Sequence, residues 1–116
     1  MVRYRILSFK YALEGLAIAL KDQPNLKFHL LAAAGVIALG FIFSISSFEW
    51  LILSLTIGFV VALELTNTAI EEIVDSFTSE VHPAAKKAKD VAAGAVLAAS
   101  ITAVIVGIII FLPYII

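Results

Sequence analysis

The chain reads as an all-α integral membrane protein, with three transmembrane helices preceded by an N-terminal amphipathic helix on the membrane surface. Three observations predict this class. Hydrophobic residues make up 62% and charged residues 15% of the 116 residues, against about 45–50% and about 25% in a soluble globular domain. Three apolar runs approach or exceed the length needed to cross a ~30 Å hydrocarbon core at about 1.5 Å per residue. All eight Lys and Arg side chains lie either before the first run or between the second and third, the asymmetry that the positive-inside rule expects. The length suits one domain, 1–116,. With no cysteine, disulfides, zinc ribbons and thiol nucleophiles are excluded. A net charge of −1 gives no electrostatic case for nucleic acid as a partner.

The first element is a surface helix over about 3–21. Ile6, Phe9, Leu13, Leu16 and Leu20 share one face at helical spacing, while Arg3, Lys10, Glu14 and Lys21 stack in a polar stripe,. Such a helix follows the inner headgroups. The charged N-terminus, with no long apolar run before Phe28, does not read as a signal peptide,. "DQPN", Asp22 to Asn25, breaks the helix, because Pro24 disfavours helix at the residue before it,.

The spans follow at about 28–44, 48–74 and 91–112. The second reaches full length only if its helix continues through the polar segment after Leu63, whereas the third is free of charge and long enough unaided,. The short connection "SISSFE" (44–49) and the C-terminus carry no Lys or Arg, so both face outward, and the N-terminus and the 77–90 loop face the cytoplasm,. Phe43, Phe48, Trp50, Phe111 and Tyr114 then fall where an outer aromatic belt is expected,. On the third span Ala95, Ala99, Ala103 and Gly107 recur every fourth residue, a stripe that lets helix backbones approach closely,.

The segment "ALELTNTAIEEIVDS" (62–76) stands out. Glu64 is about 21 Å below Trp50 at helical rise, near the inner edge of the hydrocarbon. Asn67, Glu71 and Asp75 follow at +3, +7 and +11, which keeps all four side chains within about a 100° face. The result is a polar stripe running from lipid into cytosol. Glu72 lies off it, and Glu72, Asp75 and Glu80 also read as solvated charges. Glu64 does not, since a carboxylate at bilayer depth costs about 2.5–3.5 kcal/mol. A loop over 78–90 then brings His82, Lys86, Lys87, Lys89 and Asp90 to the same surface. Lys86 and Lys87 suit ordinary inner anchoring, and His82, alone before Pro83, reads as structural. Neither a Walker-type phosphate loop nor the protein-kinase signatures occur,. An intramembrane Glu64 also admits a second reading, a small oligomeric proton- or cation-coupled carrier. Carriers favour the midplane with both ends open, whereas this stripe sits at the inner edge.

"ELTNTAIEEIVD" (64–75) resembles the signature of the prokaryotic diacylglycerol kinase and undecaprenol kinase family at every fixed position. "SFKYALEGL" (8–16) is similar to that family's N-terminal helix, and "HPAAKKAKDVAAGAVL" (82–97) to its second polar motif. The flanks look closer to the Gram-positive-type branch, where undecaprenol is the usual acceptor. The resemblance implies ATP-dependent phosphorylation of a lipid alcohol, undecaprenol or 1,2-diacylglycerol, at the cytoplasmic interface of the bacterial inner membrane. It also implies Mg2+ as cofactor and a homotrimer with sites shared between protomers; one three-helix unit is not expected to shelter the polar face alone. Carried over by motif, the catalytic base, which meets the lipid substrate, falls on Glu64, with Asn67 the invariant amide. Glu71 matches a metal-holding glutamate, and Lys89 and Asp90 the Lys-Asp pair that meets the nucleotide. Glu80, His82 and Tyr11 fall on further nucleotide contacts. One departure stands out: Gln23 takes the place of the family's second metal-binding glutamate. An amide oxygen can still ligate magnesium, or Asp22 can reach in, but a lost carboxylate weakens the site.

Overall fold

The computed structural model describes residues 2–78, 80 and 82–116, with side chains from residue 5 onward. Among these residues the fold is four helices: α1 (Val2–Asp22), α2 (Pro24–Phe43), α3 (Ser47–Phe77) and α4 (Pro83–Ile115). The last three are long and apolar enough to cross a membrane, and the chain is a multi-pass membrane protein.

The break between α1 and α2 comes where the proline predicts it. Gln23 is extended (φ −113°, ψ 104°) and caps α2, with Pro24 in the first turn, where its missing N–H costs no hydrogen bond. The helix thus starts four residues before the first apolar run. It also ends one residue early, because Ser44 is left-handed (φ 50°), while the Ser44 and Ile45 N–H groups donate to the Phe41 and Gly40 carbonyls. A left-handed serine costs about 1 kcal/mol that glycine does not. Ser44→Gly is therefore expected to raise the midpoint of thermal unfolding in micelles, by the equivalent of about 1 kcal/mol. Beside this turn the backbone of Gly40 meets an indole. A Cβ there would lie 2.5 Å from Trp50 Cη2.

α3 is the hub, packed most extensively on α4, less on α2 and least on α1. It opens on a capping box in which the Ser46 hydroxyl accepts from the Glu49 N–H and the Glu49 carboxylate accepts from the Ser46 N–H,. Tyr114 at the far end of α4 donates to that same carboxylate. Ile45, Leu53, Ile110 and Phe111 form the buried cluster at this end, and Phe43 stacks on Tyr114 with ring centroids 5.8 Å apart. The expected aromatic belt is thus only partly a belt. Phe48 is exposed, but Phe111 is buried and Phe43 and Trp50 turn inward, because the short α2–α3 connection brings three helix ends together.

The 78–90 stretch is not a loop throughout. α4 begins at Pro83, capped by His82, whose Nδ1 accepts from the Ala84 N–H. Proline at the first position and the Ala/Lys-rich sequence behind it both favour helix, so Lys86, Lys87, Lys89 and Asp90 project from an ordered surface.

α1 rests on α3 by a small-residue edge, where Ala12, Gly15 and Ala19 line a groove with Leu65 and Ala69. Its larger face, Ile6, Phe9 and Leu13, stays uncovered, as a helix embedded in a bilayer surface requires. On the polar stripe Lys10 pairs with Glu14 at 3.9 Å. Arg3, expected in that stripe, lies outside the residues whose side chains are described.

Candidate active site

The carboxylate face of α3 grades from sealed to open. Glu64 is 2% and Asn67 8% exposed, Glu71 is half-buried, and Asp75 is exposed. One chain therefore shelters the deep half of the stripe by itself, contrary to the expectation that a single three-helix unit would not. The reason is α2, whose His29 covers Glu64, with Nε2 at 3.4 Å from Oε2. His29 escapes a reading that follows only the carboxylate motif. Its signal was present, since an ionisable side chain inside an apolar span marks a functional position.

Asn67 bridges the two acidic levels. Its Nδ2 donates to Glu71 Oε1 at 3.3 Å, while its Oδ1 is buried without a hydrogen-bond partner. Asn67 and the half-buried Glu71 carry hard-oxygen donors of the kind that magnesium takes together with phosphate and water, with Nδ2 rather than Oδ1 turned to the Glu71 carboxylate in this structure. The residues present fit that ion. They do not complete its shell, because among the described residues no three His, Asp or Glu side chains gather at one point. Gln23 lies elsewhere, in the α1–α3 groove with Asp22, Thr68 and Glu72.

Below this level a cavity of about 570 Å³ opens between the end of α3 and the start of α4, lined among others by Asp75, Glu80, His82, Lys86, Lys89 and Asp90. Lys89 Nζ donates to Asp75 Oδ1 at 2.9 Å, joining the helices, and Lys86 Nζ donates to Asp90 Oδ2 at 2.6 Å. The bond to Asp75 and its charge hold the Lys89 ammonium above the ordinary lysine range, so it stays cationic at neutral pH. Four of the expected nucleotide contacts, Glu80, His82, Lys89 and Asp90, thus share one cavity. Tyr11 is not among its lining residues and is 62% exposed on α1.

On the other side of His29 lies an apolar groove between α2, α3 and α4 of about 370 Å³, whose lining includes Phe28, Val36, Val60, Ala103 and Gly107. The small-residue stripe is divided: Ala99 is buried within the chain, whereas Ala103 and Gly107 face this groove. Along α3 the sheltered Glu64 therefore stands between an apolar groove and a polar cavity in which lysines and carboxylates are paired.

Known proteins share this organisation at the level of sequence. The family model described as prokaryotic diacylglycerol kinase matches residues 10–111. An undecaprenol kinase of Bacillus subtilis (strain 168) is 45% identical over 106 residues, 91% of this chain and 86% of its own length. A diacylglycerol kinase of Synechocystis sp. is 41% identical over 109 residues, 93% of this chain and 62% of its own. A third relative, a diacylglycerol kinase of Haemophilus influenzae, is 34% identical over 104 residues, 90% of this chain and 86% of its own. With the match covering nearly the whole chain and all four helices, the protein belongs to the prokaryotic diacylglycerol kinase family of membrane lipid kinases.

Proposed function

We propose that the chain transfers the γ-phosphoryl group of ATP to the hydroxyl of undecaprenol, with 1,2-diacylglycerol the second candidate acceptor, at the cytoplasmic face of the bacterial inner membrane. The observation that carries this reading is the burial of Glu64 on the same helix face as Asp75, with the apolar groove on one side of it and the Lys89 cavity beginning about 15 Å further along α3,. A lipid alcohol keeps its hydroxyl near the interface, and Glu64 lies at that depth. The hydroxyl donates to the Glu64 carboxylate, which takes the proton as the oxygen bonds to the γ-phosphorus. The bond from that phosphorus to its bridging oxygen breaks, and ADP leaves with the electron pair. Lys89 gives up Asp75 for phosphate oxygens, while Glu80, His82 and Asp90 line the nucleotide's cavity. Glu71 and Asn67 would hold magnesium, which would supply neutralising charge between carboxylates and phosphates that otherwise repel.

The whole of 1–116 serves as one kinase domain, with the N-terminus and the 77–90 segment cytoplasmic. The resemblance to the family supports a homotrimer in which neighbouring protomers complete the sites, with Tyr11, exposed on α1, free to face a neighbour. The relatives described above give no support to the carrier reading.

The acceptor is tested by following labelled phosphate from ATP into undecaprenol and into diacylglycerol in mixed micelles. Preference for undecaprenol is expected, and transfer to neither lipid overturns the proposal. Gln23→Glu, which restores the carboxylate found elsewhere in the family, should lower the magnesium concentration for half-maximal activity. An unchanged requirement would show that position 23 does not touch the metal.

A further inference from the structure

We propose that His29 is a positioning residue for the general base, its Nε2–H donating to Glu64 Oε2 and leaving the other carboxylate oxygen for the acceptor hydroxyl. The inference rests on Glu64 being that base. Glu64 Oε2 is buried with no hydrogen-bond partner, and a buried carboxylate oxygen left so is costly. His29 Nε2 stands 3.4 Å away, and the two side chains are 19% and 3% exposed. Neutral imidazole offers one N–H donor and one acceptor, whereas an ionised carboxylate only accepts. Facing Glu64, Nε2 is thus the nitrogen that carries the proton.

The separation slightly exceeds the usual 2.7–3.2 Å of an N–H···O bond and the two groups are not aligned as one, as catalytic hydrogen bonds are often long or poorly aligned before substrate tightens them. The ring borders the groove on one side and Glu64 on the other. Phe28 meets it edge to face with centroids 5.8 Å apart, and its other surroundings in the groove include the apolar Ala33, Val36 and Val60. Because the two side chains come from α2 and α3, the contact fixes the base relative to the groove as well as relative to its own helix.

The test compares His29→Leu, which keeps bulk but has no donor, with His29→Gln, which keeps an N–H, and with Glu64→Gln, all in the micelle assay. Circular dichroism and thermal midpoints in micelles establish that each variant is folded. His29→Leu should lower kcat about tenfold to a hundredfold, the worth of one hydrogen bond to a charged group, and leave KM for Mg-ATP unchanged. His29→Gln should recover most of that loss. In the Glu64→Gln background, His29→Leu should have no further effect. The positioning role is overturned if the Leu and Gln variants lose activity equally, or if neither loses any, while Glu64→Gln is inactive. Full turnover by Glu64→Gln would instead remove the base reading, and this proposal with it.

Discussion

Glu64→Gln is expected to lower kcat by about 10²–10⁴-fold, the usual contribution of a positioned general base, without lowering thermal stability in micelles. The substitution conserves shape and removes only the ability to take a proton. Glu64 is 2% exposed, and a carboxylate sheltered so deeply is costly where a neutral amide of the same shape is less so. Activity and stability should therefore move apart, as they do where a site is held in a costly state for function. Labelled phosphate transfer and thermal unfolding on the same sample decide the matter. Wild-type turnover would mean that another group accepts the proton, and a collapsed midpoint would mean that Glu64 holds the bundle together.

The second large effect is expected at Glu71. Glu71→Gln should cut turnover at ordinary magnesium by about a hundredfold, with partial recovery as magnesium is raised, because the nucleotide would then approach Asp75 and Glu64 with less charge compensation. The Asn67 amide bonds to Glu71 Oε1, so the variant also loosens the residue just below Glu64. A magnesium titration separates the two consequences. Recovery at high magnesium identifies a lost ligand, whereas a fixed deficit identifies a lost support. An unchanged magnesium requirement would remove Glu71 from the metal site.

Much of this was legible in the sequence because the bilayer narrows the choices. Only helices can span it here, and the charges sort by side, so the three spans, the surface helix and the break at Pro24 all follow from hydropathy and proline chemistry. The carboxylate stripe was equally open to reading, since spacings of three and four on one helix fix a shared face. What could not be read were the contacts between helices. Nothing in the spacing of α3 says that His29 of α2 covers Glu64, or that Lys89 of α4 takes Asp75. Local competition hid the rest. The 78–90 stretch has the polar composition of a loop, yet Pro83 and the His82 cap start a helix there, and the aromatics beside the α2–α3 turn packed inward once Ser44 closed α2 so tightly.

The pairing of Glu49 with Ser46 and Tyr114, at the end of α3 remote from the carboxylate stripe, bears on proton movement. It occupies the acidic group that the α2–α3 turn presents. From there to Glu64, about 22 Å along α3 at helical rise, no side chain of that helix can ionise, and the Thr56 hydroxyl is bonded to the Ile52 carbonyl. Along α3 the acidic ladder is therefore a blind alley. A carboxylate buried at Glu64 is not joined by the side chains of its own helix to the opposite end, so α3 offers no acidic relay along which protons would cross.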